Sequence, residues 1–203
     1  FMDGVMFMHS RRLEAVRAVL DDGESVGELR RLSFGFSFAG GDEFFAGNIR
    51  THSGLEPHGC LGDLGWYCIR YALWAMGGRT PRNVRGTLLA QSGSPGSPGR
   101  VPTEFSAELL FEGGVSASFY CSFITELQQW VVLAGSRGSV RVPDFVLPEF
   151  GWELEYEVSR PYYRVEHCDF NMEGNRRRFT VPEYSNSQAN SQEANLFRNF
   201  AAQ

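Results

Sequence analysis

The chain has 203 residues, 42% of them hydrophobic, enough for one globular domain with a sizeable core. A net charge of −5 without a long basic run argues against nucleic acid as a partner, and the lack of a long apolar run or a visible signal peptide argues against membrane insertion and secretion. Cys60, Cys68, Cys121 and Cys168 are scattered, with no C-x-x-C pair, and read as reduced thiols of a cytoplasmic protein.

Taken in chain order, residues 1–8 read as a short apolar strand; position 1 is Phe rather than Met, which reads as a processing or truncation point. Ser10 can cap a helix over 11–20, whose Leu13, Val16, Val19 and Leu20 form one apolar stripe. Asp21, Asp22 and Gly23 end it with good stop chemistry. Leu32, Phe34, Phe36 and Phe38 then alternate with Ser33, Gly35 and Ser37, the pattern of a strand with one buried face. Residues 39–60 are loop-like and lead into a helix carrying Asp63, which should close near Gly77 and Gly78. The Ser/Gly/Pro run 92–99 reads as a mobile hairpin tip rather than a domain linker.

The second half is strand-dominated. Phe105, Ala107 and Leu109 alternate up to a turn at Glu112, Gly113 and Gly114, and Val115, Ala117, Phe119, Cys121 and Phe123 alternate beyond it. Further strands are expected at 130–134, 139–142, 154–159, 163–168 and 177–181, and a final helix at 191–202 with Leu196, Phe197 and Phe200 on one side. Successive hairpins of this length imply an α+β fold: one large, mostly antiparallel sheet with helices on one face, the whole of 1–203 forming a single domain.

One stretch carries chemistry. From Gly59 to Arg70 a glycine-rich turn runs into an amphipathic helix, and Asp63 and Tyr67, spaced i and i+4, stack on one helical face with Arg70 and Tyr71 beside them. Glycines at 59, 62 and 65 leave room for a flat ligand or another backbone to approach closely. A carboxylate beside a phenol at an open helix start is a proton-transfer pair in outline.

Gly59, Leu61, Asp63, Gly65 and Tyr67 together resemble the G-G-G-x-L-x-D-x-G-x-[HY] signature of the Gfo/Idh/MocA family of NAD(P)-dependent oxidoreductases. Cys60 interrupts the glycine run, and tyrosine stands where sugar and inositol dehydrogenases of the family often have histidine, as in the dihydrodiol and xylose dehydrogenase branch. Gly23–Leu29 resembles the turn that opens the family's second domain. The resemblance covers essentially the whole chain, but only the second of the family's two domains. It implies a fold like the second domain of glyceraldehyde-3-phosphate dehydrogenase, with an N-terminal Rossmann domain absent from this chain.

No G-x-G-x-x-G lies between a strand and a helix, and the family's E-K-P lysine has no counterpart. The resemblance therefore implies that NAD or NADP is bound mainly by the absent domain. It further implies that Tyr67 exchanges a proton with the substrate oxygen, and that a lysine from that domain favours the phenolate. The plainer reading of Tyr67 is an amphipathic tyrosine at a domain edge. Asp63 is read either as a second catalytic group, orienting substrate hydroxyls or Tyr67, or as a carboxylate stabilised by the helix dipole.

Around this pair, the loop from Arg50 to His58 directly precedes the helix and is expected to line the substrate pocket, with His52, Glu56 and His58 as candidate substrate-binding residues. His9 and Arg11 are candidates because they follow the first strand, where family members place pocket residues. Arg70 is a candidate too, although a surface pairing role is the plainer reading. The histidine spacing is not that of a helical metal site, so no metal is expected. Trp66, Trp74 and Trp130 read as packing rather than as a sugar platform.

The leading expectation is the substrate-binding and catalytic half of an NAD(P)-dependent oxidoreductase acting on a sugar, diol or related polyol, working with its own Rossmann domain and pairing with a second copy through the sheet face. Two rivals stand beside it: a non-catalytic binding or dimerisation module on the same fold, and a lyase or isomerase using Asp63 and Tyr67 for proton transfer alone.

Overall fold

The structure, a computed structural model, describes residues 2–185 and 188–202. In chain order the helices are α1 (Arg11–Asp21), α2 (Asp42–Gly47), α3 (Trp66–Ala75) and α4 (Gln192–Ala201). The strands are β1 (Leu29–Ala39), β2 (Asn83–Ser92), β3 (Val101–Leu110), β4 (Ser116–Ser122), β5 (Ile124–Gly135), β6 (Ser139–Val142), β7 (Leu154–Ser159), β8 (Tyr162–Glu166), β9 (Asp169–Glu173) and β10 (Arg176–Val181). Eight strands make one sheet in the order β10-β7-β6-β5-β1-β4-β3-β2, and β8 pairs with β9 alone. The expected α+β class with a large antiparallel sheet is the fold observed. The chain divides into two compact units, Phe1–Arg31 with Val131–Gln203, and Leu32–Trp130.

In the first unit, the expected strand at 1–8 is instead a 3-10 turn at Met6–His9, with Phe7 edge-on to Phe145 at 5.7 Å. Ser10 caps α1 as expected, accepting from the Arg12 amide at 3.1 Å. The apolar stripe of α1 has an uncounted member: Arg12 is buried, its guanidinium paired with the Asp144 carboxylate and donating to the Asp144 carbonyl at 2.8 Å and the Glu155 carbonyl at 3.1 Å. A buried arginine is tolerable only with such complete pairing. Glu183, also buried, accepts from the Arg11 amide at 2.5 Å and from the Ser10 hydroxyl at 3.2 Å, adding a second cap to the same helix end. The strand expected at 163–168 ends at Glu166; a two-residue turn with His167 at φ 58° reverses the chain into β9, which sequence patterning had not indicated.

In the second unit, β1 is buried on both faces through its centre rather than on one. The Trp130 ring covers Gly35, where a β-carbon would lie 2.7 Å from the indole nitrogen, and Ser37 donates to the Glu126 carbonyl at 2.7 Å. The span 39–60 contains α2 and a 3-10 turn at Ile49–Thr51. The 92–99 loop is tied down instead of mobile: the Ser94 amide donates to the Thr51 carbonyl at 2.8 Å, and the Ser53 amide to the Ser97 hydroxyl at 2.9 Å. α3 ends where expected, with Gly77 and Gly78 both at positive φ.

Candidate functional site

The segment 59–71 lies wholly in the second unit and is built on β3 and β4. Gly59 has φ +49°, and a β-carbon there would stand 2.2 Å from the Pro102 carbonyl oxygen. At Gly62 it would meet the Glu56 carboxylate at 2.6 Å, and at Gly65 the Leu61 side chain at 2.9 Å and the Phe119 ring at 3.2 Å. Of the two readings of these glycines, close approach of the protein itself is the one observed. Cys60, in the position that departs from a pure glycine run, is buried with its sulfur 3.9 Å from that of Cys121. No disulfide forms, and burial pushes the Cys68 thiol far above its ordinary range, where it is inert.

Leu61–Gly65 forms a π-helical turn before α3 begins. The wider turn carries Asp63 and Tyr67 to the rim of an open cleft of about 220 Å³, lined by Arg50, Glu56, Gly62, Asp63, Trp66 and Tyr67 among others. That volume is below the roughly 300–1,000 Å³ of small-molecule pockets in general. The phenol and the carboxylate are not sealed in the core: Asp63 keeps some exposure and Tyr67 is half-buried, its ring edge-on to Phe36 at 5.7 Å. Tyr71, one turn further along α3, is buried against Phe34 and Trp74.

Sequence reading placed the 50–58 loop at the pocket but gave Arg50 no role of its own. Its Nε lies 2.7 Å from Asp63 Oδ2, and the hydrogen bond to Asp63 raises the guanidinium's already high proton affinity. The Tyr67 phenol is shifted above its ordinary pKa, first by burial and then by the Asp63 carboxylate, against which the Arg50 charge pulls downward. Tyr67 is therefore a protonated phenol at neutral pH, suited to donate. The chain contains no lysine, all nineteen basic residues being arginine, so Arg50 is this cleft's own cation. Trp66 was also misread: the indole is 46% exposed and borders the cleft instead of packing in the core.

Of the other candidates, Glu56 lines the cleft, and its Oε1 accepts from the His58 amide at 3.0 Å. The His58 ring is exposed, 3.7 Å from the same carboxylate. His52 is half-buried, with Nδ1 enclosed and lacking a hydrogen-bond partner. Arg70 lies one turn further along α3 and does not line the cleft. His9 and Arg11 belong to the first unit, where His9 Nδ1 lies 2.9 Å from Asn199 Nδ2 and Arg11 serves Glu183 through its backbone. Among the described residues no cluster has the composition of a metal site, and no helix is long and apolar enough to cross a membrane.

Comparison with known proteins decides the family. Residues 13–141 match the GFO/IDH/MocA C-terminal domain. This chain belongs to the GFO/IDH/MocA family. Trans-1,2-dihydrobenzene-1,2-diol dehydrogenase from Sus scrofa is 31% identical over 135 residues, 65% of this chain and 36% of that protein. The Homo sapiens protein of the same name is 27% identical over 131 residues, 64% of this chain and 35% of its own length. The chain thus spans about a third of these curated relatives. A 3-ketoreductase from Actinomadura kijaniata, solved with NADP and TDP-benzene, superposes with a TM-score of 0.72 at 19% identity, covering 100% of this chain and 53% of that one. Aldose-aldose oxidoreductase from Caulobacter crescentus, complexed with glycerol, gives 0.66 at 18%, with coverages of 96% and 50%. At these identities the structural likeness speaks for the fold of this GFO/IDH/MocA domain.

Proposed function

We propose that this chain is the substrate-binding and catalytic part of an NAD(P)-dependent oxidoreductase acting on a secondary alcohol or ketone of a sugar, diol or related polyol. The observation that carries the reading is the protonated Tyr67 phenol at an open cleft, braced by the Arg50–Asp63 ion pair. The relatives named above are oxidoreductases of diols and sugars, and the ligands bound in the solved structures, NADP, TDP-benzene and glycerol, fit that chemistry.

In this reading Tyr67 donates its proton to the carbonyl oxygen during reduction and withdraws it during oxidation. NAD(P), held chiefly by residues outside this chain, supplies or accepts the hydride. The half-size cleft fits the reacting end of such a pair, and the chain offers no glycine-rich phosphate cradle for the rest. Asp63, fixed by Arg50, orients Tyr67 or a neighbouring hydroxyl, and Trp66 presents an apolar face to the C–H side of a sugar or diol ring. Glu56 and the imidazoles of His52 and His58 supply polar partners at the rim. A second copy associates through the sheet.

The test is turnover of the full-length protein on a panel of polyols and their ketones with NAD and NADP. Nicotinamide-dependent turnover is expected. Tight polyol binding without turnover would instead favour the non-catalytic module, and turnover independent of the nucleotide would favour a lyase or isomerase.

A further inference from the structure

The face of the β7–β10 pair against which α1 packs is only partly covered. Leu154, Tyr156 and Val158 of β7 are buried on it, and the register sets Phe179 opposite Tyr156 and Arg177 opposite Val158. α1 ends at Asp21, and residues 22–28 then run against the turn between β5 and β6. There the Arg137 amide donates to the Val26 carbonyl and the Ser136 amide to the Glu28 carbonyl, both at 2.9 Å. A cavity of about 140 Å³ remains past the helix end, lined by Ser25, Val158, Arg160, Asn175, Arg177 and Phe179. All six residues belong to the first unit.

Two guanidiniums border this cavity. Arg160 follows Val158 by two residues and shares its face, and the Arg160 amide donates to the Asn175 carbonyl at 2.8 Å, which keeps the two segments in register. Arg177 is therefore a diagonal cross-strand neighbour of Arg160, within the range at which like charges repel. The Arg160 stem lies close over Gly138, where a β-carbon would stand 2.9 Å from its Cγ. Two neighbouring arginines are neutralised: Arg178, on the opposite face, pairs with Glu155, and Arg164 pairs with Glu166 at 3.0 Å. Arg160 and Arg177 have no ion pair among the described residues. The Asp22 carboxylate is engaged by the Ser25 hydroxyl at 2.6 Å and by the Ser25 and Glu24 amides at 2.8 Å, with Arg160 the least of its influences.

We propose that this cavity is a binding site for a phosphate group. Two like charges held side by side at a recess are relieved by an anion, and a dianionic phosphate balances both. Guanidinium forks match phosphate oxygens bidentately, and the Asn175 carboxamide adds a further donor. Ser25 forms a wall rather than a donor, because its hydroxyl proton goes to Asp22. Val158 and Phe179 give the recess apolar walls, which strengthen the electrostatics inside it. The size agrees as well. The cavity exceeds what one water needs and falls short of the roughly 300–1,000 Å³ of pockets for whole small molecules. It therefore takes phosphate itself or the head of a phosphate monoester. The inference is independent of the catalytic reading, whose residues lie in the other unit.

The experiment measures binding of inorganic phosphate to the full-length protein by titration calorimetry at fixed ionic strength. It compares the wild type with Arg160→Gln, Arg177→Gln and the double variant, and uses Arg176→Gln on the opposite face as control. Thermal unfolding in phosphate and in chloride is followed in parallel. The wild type and the control should bind phosphate equally and gain unfolding temperature from it. Each single variant should bind about tenfold or more weakly, as loss of a charged hydrogen-bond donor predicts, and the double variant should not respond. In chloride the double variant should unfold no earlier than the wild type, since the repulsion between the two cations goes with them. Glycerol 1-phosphate forms a second arm: binding tighter than that of phosphate assigns the site to a larger phosphorylated ligand, and weaker binding assigns it to the free anion. Phosphate binding that is the same in the wild type and the double variant lies elsewhere in the protein and would overturn the inference. So would a wild type that binds none, the result expected if another part of the polypeptide fills the cavity.

Discussion

At Tyr67 burial and two charges compete, and the outcome decides which direction of proton transfer the residue favours. Burial and the Asp63 carboxylate raise the phenol's pKa, while the Arg50 guanidinium lowers it. Removing each charged neighbour should therefore move the same titration in opposite directions. Asp63→Asn takes away a negative neighbour and releases the cation, so the alkaline limb of the reduction rate should shift to lower pH. Arg50→Gln should shift it to higher pH. The measurement is the pH dependence of kcat/KM for ketone reduction by the full-length protein; limbs that coincide would separate Tyr67 from the titrating group. The residue scale also shows what a motif can hide. Asp63 and Tyr67 stood out because i, i+4 spacing on a helix is readable. Arg50 did not, because it approaches Asp63 from a 3-10 turn in the preceding loop, and no local periodicity records that approach. Trp66 was misjudged for a related reason: composition suggests burial of an indole, but its position on α3 points it to the cleft mouth.

Among the elements, α1 shows how caps and a buried charge share the anchoring of one helix. Ser10 and the Asp-Asp-Gly stop of 21–23 were legible, whereas Arg12 in the apolar stripe was not, because its partner Asp144 is remote in sequence. Arg12→Ala leaves the Asp144 carboxylate buried and uncompensated, and should cost about 3–5 kcal/mol in urea unfolding. Arg12→Met together with Asp144→Leu should recover most of that loss, since an apolar pair removes the desolvation penalty with the charges. Glu183 makes a separate prediction. Burial raises its pKa above the usual 4.5, against the pull of the Arg11 amide and the Ser10 hydroxyl, and its Oε1 is enclosed without a partner. A carboxyl whose folded pKa is raised contributes stability that is present below the unfolded value and is lost as pH rises through the folded value. Glu183→Gln keeps an acceptor for the helix cap and removes the titration, so thermal unfolding temperature should decline less from pH 4.5 upward than in the wild type. Parallel pH profiles for the two proteins would contradict this.

For the molecule as a whole, period-two alternation in β3, β4 and β7 made the large sheet readable, because each of these strands buries a defined face, whereas the exposed β2 gave no such pattern. Two departures have physical causes outside any local window. Gly35 and Ser37 of β1 are buried because Trp130 and the Glu126 carbonyl, far along the chain, cover them. β8 was expected, but β9 escaped notice because the turn before it uses His167 and Cys168 where a hairpin signal would show Asn-Gly or Asp-Gly. Of the site, Asp63, Tyr67 and the lining loop 50–58 were legible, but the Arg50–Asp63 ion pair and the exposure of Trp66 were not, since both depend on how that loop folds back on the helix start. The account's central claim is that Tyr67 handles the proton in a nicotinamide-dependent reaction. Steady-state kinetics of the full-length Tyr67→Phe variant test it most directly. Loss of the phenol should lower kcat by roughly 10²–10⁴-fold with KM little changed, the size of a general acid's contribution. A variant that turns over at the wild-type rate would contradict the account.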